Sequence, residues 1–139
     1  LGAAQSIANA FERYLGLGRP AFVPKQLPVL AAVAELVRAA GGVTSAAHLN
    51  GRGGTAVLRD LKDLGIDGVE VLHPSHDERT SRRIEAAAGR VGLAPTGGSD
   101  WHGDHRVDSN RGRLGAIDVP EAWVERLEAL HQARRAYVS

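Results

Sequence analysis

Residues 97–105, GGSDWHGDH, carry two aspartates and two histidines in nine positions, and further histidines stand at 48, 73 and 76. The chain has 6 histidines and no cysteine, so any metal chemistry must be built from imidazole and carboxylate. That donor set suits Zn²⁺, Mn²⁺ or Fe²⁺ and does not choose among them. In an extended chain, residues two apart point to the same side, which would let Asp100 and His102 grip one ion together. Gly97 and Gly98 just before them remove side chains that would keep a metal or phosphate from the backbone.

The elements that must position these groups are readable from the apolar pattern. SIANAFERYLGLG sets Ile7, Ala10, Phe11, Tyr14 and Leu15 on one helical face, and Gly16 and Gly18 stop it. RPAFVPKQLP is an extended connector with three prolines. From Pro28 the chain alternates: helix 28–42, strand 42–49, helix 54–64, strand 65–73, helix 77–92, strand 93–100. A short strand near 114–119 and a helix over 120–135, with Pro120 opening it, finish the chain. Such alternation with short connections predicts parallel α/β packing. Three or four strands are too few to close a barrel, so the pattern reads either as a small open sheet or as half of a larger barrel.

The polar residues decide between these. His48 ends the first strand, His73 ends the second with His76 just beyond, and Asp100 and His102 end the third. In parallel α/β folds that edge is where loops converge and chemistry sits. One strand-end histidine is more often a packing or hydrogen-bonding residue; three successive ones argue for a shared centre. His105, Asp104 and Asp108 are expected in a solvated loop, and His131 on the exposed face of the last helix.

Composition narrows the rest. At 139 residues and 43% hydrophobic, the chain is of one-domain length. Lys+Arg number 17 against 16 Asp+Glu, so no basic excess advertises nucleic acid. No run approaches a membrane span and nothing resembles a signal peptide. With the lack of cysteine, this leads us to expect a cytoplasmic protein without membrane partners. There is no methionine and residue 1 is leucine, so a piece of a longer protein is expected.

AGGVTSAAHLNGRGG, the long run GIDGVEVLHPSHDERTSRRIEAAAGRVGLAPTGGSDWHG, and NRGRLGAIDVP resemble the PHP (polymerase and histidinol phosphatase) superfamily. They are most similar to its branch of 3′,5′-nucleoside bisphosphate phosphatases and 5′→3′ exoribonucleases. The resemblance spans residues 6 to 130 and is most specific from Gly65 to Gly103. It implies an α/β fold, the C-terminal half of a distorted (β/α)7 barrel holding two or three divalent metals. His48 matches the histidine of the family's Ala-His-Pro motif, and Asp100 and His102 match its Ser-Asp-x-His ligands. Residues 1–24 resemble the end of an inserted helical segment, leaving 25–139 as barrel. Two departures stand out. Leu49 replaces the motif proline, and the family's N-terminal His-x-His pair and the ligands that follow it have no counterpart in these residues. The missing ligands are expected upstream of Leu1, and the chain alone is expected to be inactive.

The implied enzyme is a phosphoesterase acting on phosphorylated nucleotides or RNA ends, with manganese the leading cofactor and Zn, Fe and Mg as alternatives. His48, Asp100 and His102 would hold metal. His73 or His76 is expected as a phosphate contact or leaving-group acid, with organisation of the HPSH turn the competing reading for one of them. Arg52 and Lys25 are candidate phosphate partners, with surface solvation as the competing reading. Glu70, inside a strand, is placed to orient a histidine. Two rival functions remain: a histidinol-phosphate-type phosphatase, and a non-catalytic partner-binding or structural domain. A half barrel would also expose its edge strand and apolar face, favouring self-association.

Overall fold

The computed structural model describes residues 2–102 and 113–138. Helix α1 (Ile7–Ala10) opens the chain under a side-chain cap from Ser6, continues as a wider π-helical turn over Phe11–Leu15, and stops at Gly16. An extended connector leads to α2 (Leu30–Ala39). Then β1 (Ser45–Ala46), α3 (Thr55–Asp63), β2 (Gly68–Leu72), α4 (Glu78–Val91), β3 (Ala94–Gly97) and α5 (Glu121–Val138) follow.

The three strands form one parallel sheet in the order β1-β2-β3. Each neighbouring pair is joined by one helix, α3 between β1 and β2 and α4 between β2 and β3, so the alternation produces parallel neighbours as expected. β1 is shorter than its apolar run because only Ser45 and Ala46 find ladder partners, Gly68 and Val69. No strand forms over 114–119. Gly115 takes a left-handed φ of 75°, and the Ala116 N–H turns back to Arg113 O at 2.9 Å.

The core lies on one face of the sheet. Val69 and Val71, two apart on β2, point to the same side. There they meet Leu58 of α3 and Ile84, Ala87 and Ala88 of α4, all nearly inaccessible to solvent. The spacing 84, 87, 88 is the i, i+3, i+4 stripe of a helix that buries one face. α4 is fixed at both ends: the Asp77 carboxylate accepts the Thr80 N–H at 2.7 Å, and Gly92 closes the helix at φ 75°. Together Val69, Val71, Leu58 and Ile84 remove enough apolar surface to contribute about 1.5–3 kcal/mol each.

The opposite face of β2 carries Gly68, Glu70 and Leu72, and it is partly polar. Gly68 has no side chain, so Ser45 of β1 and Thr96 of β3 meet across it at 2.8 Å between hydroxyl oxygens. A Cβ at Gly68 would stand 2.9 Å from Ala94 O.

At the opposite end of the strands from the histidines, α5 is tied back to the sheet. Arg134 closes on the buried Asp67 carboxylate through both guanidinium nitrogens and also donates to Gly42 O at 2.6 Å. Thr44 adds its N–H at 2.9 Å and its hydroxyl at 3.0 Å to the same carboxylate. His131 is therefore not on an exposed face. Its Nδ1–H donates to Gly41 O at 2.8 Å, because α5 turns that side toward the loop before β1. Among the described residues no helix is long and apolar enough to cross a membrane.

Candidate metal centre at the strand ends

The loops after β1, β2 and β3 leave the sheet at one edge and bring His48, His73 and Asp100 together. His48 lies two residues past Ala46 with φ 57°, a left-handed conformation uncommon for a side-chain-bearing residue. Its N–H donates to Glu70 Oε2 at 2.9 Å, so the neighbouring strand's carboxylate holds the turn in place. The side-chain reading of Glu70 as a histidine-orienting group thus has a geometric counterpart, acting through the backbone of His48 rather than its ring.

Asp100 is the meeting point. Its Oδ1 lies 3.6 Å from His48 Nε2 and 3.7 Å from His102 Nδ1, and its Oδ2 lies 3.6 Å from His73 Nε2. These separations exceed hydrogen-bond length. The two histidine Nε2 separations match ligand atoms sharing one ion: donors each roughly 2.1 Å from a cation at tetrahedral angles stand about 3.4 Å apart. The His48 and His73 rings lie 5.0 Å apart between centroids, and ligand atoms of His48, Glu70 and His73 can be chosen all within 4.8 Å of one another. His73 Nε2 is buried and has no hydrogen-bond partner among the described residues. A buried nitrogen facing a carboxylate, without a partner of its own, fits a cation. The residues present are thus a nitrogen and oxygen donor set suited to a divalent metal.

Asp100 and His102 reach this edge by a different route from the extended chain expected. Asp100 takes φ 49°, and the His102 Nδ1–H turns back to Asp100 O at 2.5 Å. With Nδ1 protonated, the lone pair of His102 is on Nε2. Gly97 is also explained differently from the sequence reading. A Cβ there would stand 2.7 Å from Leu72 Cβ and 3.1 Å from Leu72 O, so close strand packing demands glycine. Gly98 has no neighbour within 4 Å of a built Cβ among the described residues.

His76 is separated from His73 by its bonds. Its Nδ1 lies 2.8 Å from Val71 O, a carbonyl that only accepts, so Nδ1 carries the proton. Its Nε2 accepts the Asn50 N–H at 3.3 Å. Both nitrogens are committed to backbone groups, one in β2 and one in the loop after β1. His73 instead presents Nε2 to Asp100.

Lys25 lies in the exposed connector and Arg52 in the exposed one-turn 3₁₀ segment Asn50–Arg52. Among the described residues, no ion pair or side-chain hydrogen bond joins either to the cluster. Arg83 of α4 is the cation that meets this loop, donating to Gly51 O and Asn50 O at 3.0 Å each. With Asp77, Arg79, Thr80 and Gly51 it lines an open cleft of about 310 Å³. Arg83, Asn50 and Ser75 were not singled out from the sequence; the Asn-Gly pair at 50–51 was the available turn signal. Asp104, His105 and Asp108 lie outside the described residues.

A partial α/β barrel similar to those of solved phosphoesterase and amidohydrolase structures thus carries imidazole and carboxylate groups at its strand ends. No family model matches the chain. It is 29% identical over 107 residues to a 5′-3′ exoribonuclease of Haemophilus influenzae, covering 73% of this chain and 39% of that protein. It is 33% identical over 107 residues to a 3′,5′-nucleoside bisphosphate phosphatase of Chromobacterium violaceum, covering 73% of this chain and 37% of the relative. A structure described as a metal-dependent phosphoesterase from Bifidobacterium adolescentis superposes with a TM-score of 0.68 at 27% identity, over 88% of this chain and 44% of that one. An amidohydrolase from Chromobacterium violaceum, with bound sulfate and no metal, gives a TM-score of 0.65 at 26% identity, over 93% of this chain and 46% of that one. Over the part of their fold that it spans, the chain is similar to metal-dependent phosphoesterases and nucleotide and RNA hydrolases. It spans well under half the length of the curated relatives it matches.

Proposed function

We infer that the whole protein is a metal-dependent phosphoesterase that hydrolyses phosphate esters of nucleotides or RNA ends, and that this chain supplies part of its metal site. The observation that carries this reading is the convergence of His48, His73 and Asp100 at 3.6 Å spacings around a buried imidazole nitrogen with no hydrogen-bond partner among the described residues. The relatives named as nucleotide and RNA hydrolases support the substrate class.

Divalent cations bound there, with manganese our first choice, would polarise the phosphoryl oxygens and lower the pKa of water to near neutrality. His48, Asp100 and His102 would hold metal through imidazole nitrogen and carboxylate oxygen. His73 presents Nε2 to the same space, whereas His76 acts by joining the loops that follow β1 and β2. Asp77 caps α4, which holds Arg83 against the carbonyls of Asn50 and Gly51. Arg52 and Lys25 remain phosphate-partner proposals for the whole protein. Residues 1–24 are proposed as the end of an inserted segment and 25–139 as barrel. The exposed apolar residues of the first thirty positions, among them Ile7, Leu17, Val23 and Leu27, favour self-association of the isolated chain.

Phosphate release from 3′,5′-nucleoside bisphosphates and from short 5′-phosphorylated RNAs, measured with Mn²⁺, Zn²⁺, Fe²⁺ or Mg²⁺ on the whole protein, tests the reading. Metal-stimulated release from these substrates is expected. Preference for histidinol phosphate would move the protein to the rival branch, and no release with any metal would favour the non-catalytic reading.

A further inference from the structure

We propose that Asn50 and Ser75 form a hydrogen-bond relay that fixes the tautomer of His73, so that Nδ1 is protonated and a bare Nε2 faces the centre. The inference rests on the metal-site reading above for its purpose, though the relay itself exists in the metal-free chain.

The direction of each bond follows from what its atoms can do. Asn50 Nδ2 lies 3.3 Å from His48 O, a pure acceptor, so the amide is oriented with Nδ2 toward that carbonyl. Its Oδ1 then faces Ser75 Oγ at 2.8 Å. Reversing the amide would press Oδ1 against the carbonyl of His48. Serine has one hydroxyl proton, and an amide oxygen cannot donate, so that proton goes to Asn50. Ser75 Oγ also lies 2.7 Å from His73 Nδ1. With its proton spent, the hydroxyl oxygen can only accept, and Nδ1 must supply the hydrogen. The lone pair of His73 therefore falls on Nε2, the buried atom 3.6 Å from Asp100 Oδ2.

One group competes. The Ser75 N–H lies 3.1 Å from the same Nδ1 and would call for the opposite tautomer. The hydroxyl contact is the shorter, and it is the one linked onward to a fixed partner. Asn50 is held at every polar atom: its N–H by His76 Nε2 at 3.3 Å, its carbonyl by Arg83 at 3.0 Å, and its amide as described. It also sits at φ 47°, a conformation asparagine tolerates better than most residues. A histidine that binds metal through one nitrogen characteristically donates its other N–H to an oxygen acceptor. Ser75 supplies that acceptor and Asn50 makes it one. Both are positioning residues, acting on the centre through His73.

The test reads the tautomer directly. In metal-free chain labelled with ¹⁵N-histidine, in alkaline buffer where imidazoles are uncharged, the two-bond ¹H–¹⁵N pattern of His73 should be that of the Nδ1–H form. Ser75→Ala removes the oxygen acceptor and leaves the backbone N–H, and should convert His73 to the Nε2–H form. Asn50→Gly keeps the left-handed backbone but frees the serine proton to turn toward Nδ1, and should convert it likewise. Ser75→Thr should retain the native pattern and controls for folding. Mn²⁺ and Zn²⁺ affinity by calorimetry should fall about 10–100-fold in the two converted variants and stay unchanged in Ser75→Thr. An Nε2–H pattern in the unaltered chain, or no change in Ser75→Ala, overturns the relay. If instead the tautomers behave as expected but neither Asp100→Asn nor His73→Ala alters metal binding, the relay stands and the metal-site reading fails.

Discussion

Arg134 near the end of α5 clasps Asp67 at the foot of β2, 67 positions earlier in the chain, and at the same time donates to Gly42 O. The pair is nearly out of solvent, with side chains 18% and 8% exposed. It ties the last helix to the start of the sheet, opposite the histidine edge. Removing one member of such a pair leaves a buried charge without compensation. Arg134→Ala should therefore destabilise the chain by about 3 kcal/mol, read as a lower midpoint in urea unfolding. A midpoint within error of the unaltered chain would show that the clasp contributes nothing.

The same carboxylate makes stability pH-dependent. Burial pushes the Asp67 carboxyl up, but hydrogen bonds from Arg134 and Thr44, with the guanidinium charge, outweigh it and hold it below the usual carboxylate range. A group whose folded value is depressed adds stability that is complete above its unfolded value and is lost as pH falls through the folded one. Urea midpoints should therefore be level with respect to this group above about pH 5 and should drop progressively below about pH 4. The Asp67→Asn variant should be less stable at neutral pH and show a shallower acid slope. Equal slopes in the two proteins would remove Asp67 from the account.

Asp100 stands 3.6 Å from the Nε2 atoms of His48 and His73. In the whole protein, Asp100→Asn should lower metal-stimulated phosphate release by more than the roughly 10–100-fold lost when an outer partner of a ligand is removed. Far-ultraviolet circular dichroism should be unchanged, because Asp100 is outside the core. Retained activity would take Asp100 out of the metal-ligand role.

His76 should behave as a structural joint. Its two nitrogens serve Val71 O and the Asn50 N–H, so His76→Ala leaves two backbone groups without their partners and should cost about 1–3 kcal/mol. The measured effect should be on unfolding and on loop hydrogen exchange. A loss of activity in the whole protein with stability and exchange unchanged would instead assign His76 to the chemistry.

The isolated chain exposes Leu17, Val23, Leu27 and Val29, each more than 70% accessible. Sized by chromatography with light scattering, it should run as a dimer or larger species whose population falls on dilution. A monodisperse monomer at all concentrations would count against self-association.

The sequence by itself determined the alternation of helices and strands, because burying one stripe of α4 and one face of β2 imposes periods of 3.6 and 2 on their apolar residues. It also brought histidines and Asp100 to one sheet edge, since parallel strands joined by helices all end on the same side. Tertiary structure alone decided what each group there faces. His73 and His76 are three residues apart in one turn, and no local pattern separates them. Asn50, arriving from the β1 loop, accepts from Ser75 beside one ring and donates to the other. The left-handed backbone at Asp100, the inward turn of His131 and the Asp67–Arg134 clasp have the same origin. Each is fixed by a partner placed through folding, and its directional bonds leave no periodic trace in the chain.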